Sequence, residues 1–195
     1  VKAPLALALL LVAFPVAADP PPWRQAITEP DRKRLALLWK AWSLAKSQTV
    51  DAGHAAEWQK LGDLADPSLS APGGPPQAGP YRCRRVKLGA RTPGMPVMVL
   101  AGARPCRIEA AGEFLRLIVD AGAQRTAGLL YPDGERMIYL GAVSLGSEGG
   151  MFAYRRDAER DQVGVLHRIG AQRWRLELPF PKWESTLDLI EITSP

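Results

Sequence analysis

QRTAGLLYPDGERMIYLGAVSLGSEGGMFAYRRDAERDQVGVLHRIGAQRWRLEL, residues 124–178, decides the fold. Turn chemistry punctuates it repeatedly. Pro132-Asp133-Gly134 joins a residue of fixed φ, a side chain able to cap its own turn and a glycine tolerant of positive φ. Residues 146–150, 157–161 and 170–172 are further turns, at the spacing of short antiparallel strands. The intervals 125–131, 136–145, 151–155, 162–169 and 173–178 therefore read as strands. In the last, Trp174, Leu176 and Leu178 alternate with Arg173, Arg175 and Glu177, which predicts one dry face and one wet face. In 136–145, Met137, Tyr139 and Val143 alternate with Ile138, Leu140 and Ala142. A strand apolar on both faces is either covered on both sides or lines a cavity.

Consecutive hairpins need no crossover helices, and the gaps leave no room for them. Closing the series removes exposed sheet edges. The expected fold is α+β: an N-terminal helical segment followed by an antiparallel up-and-down β-barrel-like sheet of about eight strands. A two-sheet sandwich is the alternative.

Working outward, residues 81–88 and 96–100 read as strands, and 106–110 with 114–120 as a hairpin turned at Ala111-Gly112. A strand near 186–192 closes the sheet. Residues 67–80 are a linker, rich in proline and glycine. Before it lie two helices. Thr28 is the N-cap of the first, with Pro30 in the first turn and Asp31 placed to complete a capping box. Leu35, Leu38, Trp39, Trp42 and Ala45 form one apolar stripe, read as core rather than as a ligand platform. The second helix runs from about 51 to 61, with Ala55, Trp58 and Leu61 on one side and Gly62 as its stop.

Residues 1–18 carry Lys2, an apolar run from Leu5 to Val16 and small residues before Asp19, the pattern of a secretory signal peptide. A membrane anchor is the alternative; the run is short for a span and Pro15 interrupts it. The expected organisation is thus 1–18 leader, 19–66 helical segment, 67–80 linker and 81–195 barrel-like domain, exported to the periplasm or secreted. The two cysteines, Cys83 and Cys106, fit an oxidising compartment and a disulfide; two buried free thiols are the alternative. They lack Cys-x-x-Cys spacing, and with only two histidines in the chain no metal site is expected. The formal charge of +5 is spread among interspersed acids and bases, without a polybasic block, which argues against nucleic-acid binding.

Tyr81-Arg82-Cys83-Arg84, Gly128-Leu129-Leu130-Tyr131, Tyr139-Leu140-Gly141, Arg173-Trp174-Arg175-Leu176 and Glu184-Ser185-Thr186-Leu187-Asp188 resemble a bacterial family of short exported proteins known as a domain of unknown function. The resemblance covers most of the mature chain, the tryptophan-bearing helix included. It implies export and one shared fold, and it carries no catalytic residues across.

No enzyme signature stands out. Residues 146–150 lack the spacing of a nucleophile elbow, and no phosphate-cradling glycine loop precedes a lysine. His54 and Glu57 lack a third ligand. His167 shares a phase with Val163, Val165 and Ile169 and is expected to point inward, either hydrogen-bonded in the core or touching a ligand. Glu184, before the closing strand, is expected to pair with Arg173 or Arg175 and lock the barrel seam. The leading reading is a binding module for a small apolar or amphipathic envelope molecule, held within walls that include His167, Tyr139 and Ile138, with no cofactor. An interaction or inhibitor module is the alternative; Tyr81 and Cys83 are similar to the start of lysozyme inhibitors. An envelope hydrolase using Glu184 or His167 is the third.

Overall fold

The structure, a computed structural model, describes residues 20–195; the expected leader lies outside them. Nine strands form one antiparallel sheet: β1 (Gly79–Leu88), β2 (Met98–Leu100), β3 (Arg104–Ala111), β4 (Phe114–Val119), β5 (Gln124–Asp133), β6 (Arg136–Leu145), β7 (Asp161–Gly170), β8 (Arg173–Pro179) and β9 (Leu187–Thr193). From β3 onward each strand pairs with the next, and β9 returns to β1 over Arg82↔Thr193 through Leu88↔Leu187. This is a closed eight-stranded barrel with β2 as an extra strand. The other edge of β1 is shared: Gly79 to Cys83 pair with β3, and Val86 to Leu88 pair with β2.

The interior is filled. Tyr81, Ile108, Leu117, Leu130, Met137, Leu166, Trp174, Leu176, Leu178, Ile190 and Ile192 pack there around the Cys83–Cys106 disulfide. The bridge runs diagonally across the β1–β3 ladder, since Tyr81 pairs with Cys106 and Cys83 with Arg104. Tyr139 is the largest of the fully buried interior side chains, and its neighbours make way for it. A Cβ at Gly141 would sit 2.2 Å from the Tyr139 hydroxyl, and one at Gly128 2.6 Å from its ring. Such contacts forbid any side chain at these two paired glycines. The hydroxyl reaches Thr126 Oγ1 at 2.8 Å, and Thr126 in turn bonds Gln162 Oε1.

The outer face is dry over part of the ring. Ile138, Leu140, Val163 and Val165 lie under Trp23 and Ile27, while Val86, Leu88, Leu187 and Leu189 lie under Trp42, Trp58 and Leu64. The doubly apolar β6 is thus covered on both sides. The cover comes from α1 (Pro22–Ala26), α2 (Glu29–Ala36), α3 (Leu38–Asp51), α4 (Ala55–Lys60) and the short 3-10 turn Gly62–Ala65 that carries Leu64. Thr28 caps α2 through Asp31 N at 3.4 Å, but the Asp31 carboxylate does not complete the box; it takes Arg34 and the Tyr154 hydroxyl instead.

The first expected helix breaks at Leu37 (φ −94°, ψ 13°), which rotates the phase of the residues beyond it. Trp42 is buried as expected, whereas Trp39 is 64% exposed. Residues 151–155 are not a strand. Their polar groups go elsewhere: Phe152 N donates to Ser144 Oγ at 2.8 Å, and Tyr154 donates to Asp31 at 2.6 Å.

The expected wet face of β8 is not wet. Arg175 is 0% exposed and Glu177 2%, both beneath α3. Arg175 Nε donates to Glu177 at 2.8 Å and Nη1 to the Asp66 carbonyl at 2.6 Å. Glu177 also accepts Trp42 Nε1 at 2.8 Å, and the Trp42 ring lies 5.2 Å from the guanidinium. A charge buried with every partner in place is tolerated, so an alternating pattern that predicts solvent here encloses a dock for α3.

Two consequences are measurable. Opening the disulfide, whose cysteines lie 23 residues apart, by Cys83→Ser with Cys106→Ser lowers unfolding free energy by about 3 kcal/mol in urea. Burial pushes the Tyr139 phenol up to about 12 from 10.0. Its stabilisation is therefore complete below pH 10 and lost as pH rises from 10 to 12, by about 3 kcal/mol, and Tyr139→Phe removes that share of the alkaline slope in urea titrations.

Candidate functional site at the barrel mouth

The interior changes character along β1. Tyr81 and Cys83 belong to the apolar core, and the next inward positions on the same strand are Arg85 and Lys87. On β9, Ile190 and Ile192 are likewise followed toward this end by Asp188, which is 1% exposed. One end of the barrel is therefore apolar and the other charged. Arg85 Nη1 donates to Asp188 at 2.8 Å, and Lys87 Nζ lies 3.8 Å from the same carboxylate. Ser185 Oγ donates to the other oxygen of Asp188.

The segment between β8 and β9 crosses this mouth. Glu184 takes φ of +66°, a left-handed conformation costly for a residue with a side chain. That backbone turns its carboxylate across the opening, onto Lys87 Nζ of β1 at 2.6 Å and Gln124 Nε2 of β5 at 3.2 Å. Its carbonyl accepts Arg91 N at 2.7 Å, and the Arg91 side chain donates to the Phe180 and Pro181 carbonyls. On one flank Trp183 stacks against Arg160 at 4.9 Å. On the other a cavity of about 320 Å³ opens between Arg85, Lys87, Glu184 and an apolar wall that includes Met95, Val99 and Ile190. Arg85 Nη2 is buried with no hydrogen-bond partner. Arg85 and Lys87 make the polar end of the cavity.

The residues picked from the sequence fall in different places. Tyr139 faces inward but is wholly buried beneath the mouth. Ile138, its neighbour, faces outward under Trp23 and Ile27. His167 also faces outward, because its phase companions Val163 and Val165 pack under the helices and its register partner is Arg175. Burial holds its pKa below the ordinary value, with Glu177 3.9 Å away opposing that shift. The three do not line a common interior.

Glu184 does not meet the arginines either. Arg173 pairs with Glu191 at 2.6 Å, and Arg175 pairs with Glu177. The seam is held by Glu191, which takes Arg84 of β1 at 2.8 Å as well as Arg173 of β8. Glu184 lies at the mouth and His167 on the outer wall. Tyr81 and Cys83 lie inside the barrel. Sequence reasoning missed Arg85, Lys87 and Asp188; the available signal was that ionisable residues continue the inward phase of Cys83 and Ile190 on β1 and β9.

Among the described residues no cluster of histidine, cysteine and carboxylates is arranged to hold a metal, and no helix is long and apolar enough to cross a membrane. No curated protein and no solved structure matches the chain. A family model does match, over residues 23–192, which takes in α1 to α4 and nearly the whole barrel. The charged mouth, with Glu184, Ser185 and Asp188 from one short motif, falls within that span. The chain belongs to the family described as Domain of unknown function (DUF4893).

Proposed function

We propose that this protein is an exported, non-catalytic binding module that takes a small amphipathic envelope molecule at the barrel mouth. The observation that carries the reading is the cavity of about 320 Å³ in which Arg85, Lys87 and Glu184 stand opposite Met95, Val99 and Ile190. That pairing of a few polar groups with an apolar wall is the usual make-up of a small-ligand site, and the volume is at the lower end of such sites. The filled interior moves the ligand from the barrel's centre to its end. The cationic side chains of Arg85 and Lys87 favour a ligand with an acceptor oxygen at its polar end.

Export is part of the proposal. The apolar leader pattern, the disulfide and the family resemblance support a periplasmic or secreted protein whose leader is removed. In the same reading 19–66 clasp the barrel, and the 67–80 linker lets the chain pass from helices to β1.

Native mass spectrometry of the protein purified from its own envelope tests the function. A bound mass is expected, and Val99→Trp, which fills the apolar wall, is expected to lose it while the far-ultraviolet dichroism stays unchanged. If the purified protein carries nothing and takes up nothing from an envelope lipid extract, the mouth is not a ligand site. Arg85→Met alone is expected to lower stability by about 3 kcal/mol, because it leaves buried Asp188 short of a partner. The double change Arg85→Met with Asp188→Leu recovers most of that loss but not the bound mass.

A further inference from the structure

The helices cover only part of the barrel wall. The cover thins beyond α1, and the segment 151–155 stands off the outer face of β4, β5 and β6 to leave a groove of about 510 Å³ bordered by Ala26 of α1. The floor is apolar, built from Ile118, Leu129, Tyr131 and Leu140. The far wall is fixed rather than loose, because Phe152 is held by Ser144 and Tyr154 by Asp31 of α2. Arginines stand around the rim: Arg107, Arg116 and Arg155, with no aspartate or glutamate among the lining residues. Glu109 and Asp120 neutralise Arg107. Among the described residues, Arg116 and Arg155 make no ion pair.

We infer that this groove is a second binding site, for a single-chain amphipathic anion whose alkyl chain lies on the floor and whose carboxylate or phosphate meets Arg116 and Arg155. An arginine fork matches either oxyanion in a bidentate way. Its attraction is stronger beside an apolar floor than in open water. The sign of charge distinguishes this groove from the mouth, where Glu184 and Asp188 stand beside Arg85 and Lys87. The floor residues face outward and the mouth residues inward, so the two sites lie on opposite sides of the wall.

Isothermal titration of the protein with dodecanoate, dodecyl phosphate and dodecyltrimethylammonium, each below its micellar range, tests the inference. Both anions are expected to bind and the cation is not. A preference for the carboxylate or for the phosphate tells a free fatty acid from a phospholipid-derived headgroup. Arg116→Glu with Arg155→Glu, both exposed positions, weakens the anions by about tenfold or more. Ala127→Trp, on the lining, blocks the alkyl chain. Val99→Trp at the mouth leaves this binding in place, which separates failure here from failure of the mouth reading. The inference falls if the cation binds as tightly as the anions, if the arginine reversal changes nothing, or if Val99→Trp alone abolishes anion binding. Should Ala127→Trp fail to fold, the arginine reversal decides.

Discussion

Ring closure between β1 and β9 is the constraint on which the rest of the structure depends. Seven register pairs, from Arg82↔Thr193 to Leu88↔Leu187, join the first strand to the last. Without them both strands would be open edges, and the inward residues of every other strand would have nothing opposite to pack on. Closure turns a series of local hairpins into an enclosed volume. It also sets where charge can stand, because an ionisable residue on the inward phase is tolerated only near an end. Arg85, Lys87 and Asp188 occupy such positions, and each has a partner across the strands.

Half of the outer wall is dry as well, and there the helices are anchored by polar groups as much as by apolar area. Arg175 and Glu177 hold α3 through Trp42 and the Asp63–Asp66 turn. Arg34 holds α2 by donating to the carbonyls of Asp161 and Phe180 at 2.8 Å and 3.2 Å. Buried ionic contacts of this kind add little net stability compared with an apolar replacement. Their geometry is directional, so they define where each helix sits on a wall that is otherwise uniformly aliphatic. The other half of the wall lacks such anchors and is left to the groove.

Much of the barrel was legible in the chain. Strand order, the hairpin turns and the limits of β6 followed from period-two alternation and from Gly134-type turns, both of which are local. The disulfide followed from compartment logic, and the cap at Thr28 from its spacing to Asp31. What stayed hidden depends on contacts between distant segments. Whether Arg175 faces water or a helix is decided by α3, well over a hundred residues away, and alternation cannot report it. Alternation reads His167 as inward because the more apolar face of β7, with Val163 and Val165, is the one packed outward under the helices, while the inward phase carries Gln162, Gly164 and Leu166. Trp39 leaves the core because of a break at Leu37 that no proline or glycine marks. The mouth is hard to read because its members, Arg85, Lys87, Gln124, Glu184 and Asp188, come from widely separated positions and form no linear motif apart from the last two.

The diagonal sulfur bridge between β1 and β3 takes on a temporal meaning in a ring whose final partner is its last strand. As the chain emerges from its N-terminus, β1 appears early and its free edge must wait for about a hundred residues before β9 arrives. Loop closure over such a span is slow compared with hairpin formation. Once β3 exists, an external disulfide can take up the two electrons and two protons of the Cys83 and Cys106 thiols and leave them bonded, and that bond fixes the first staves while the rest of the cask is still being delivered.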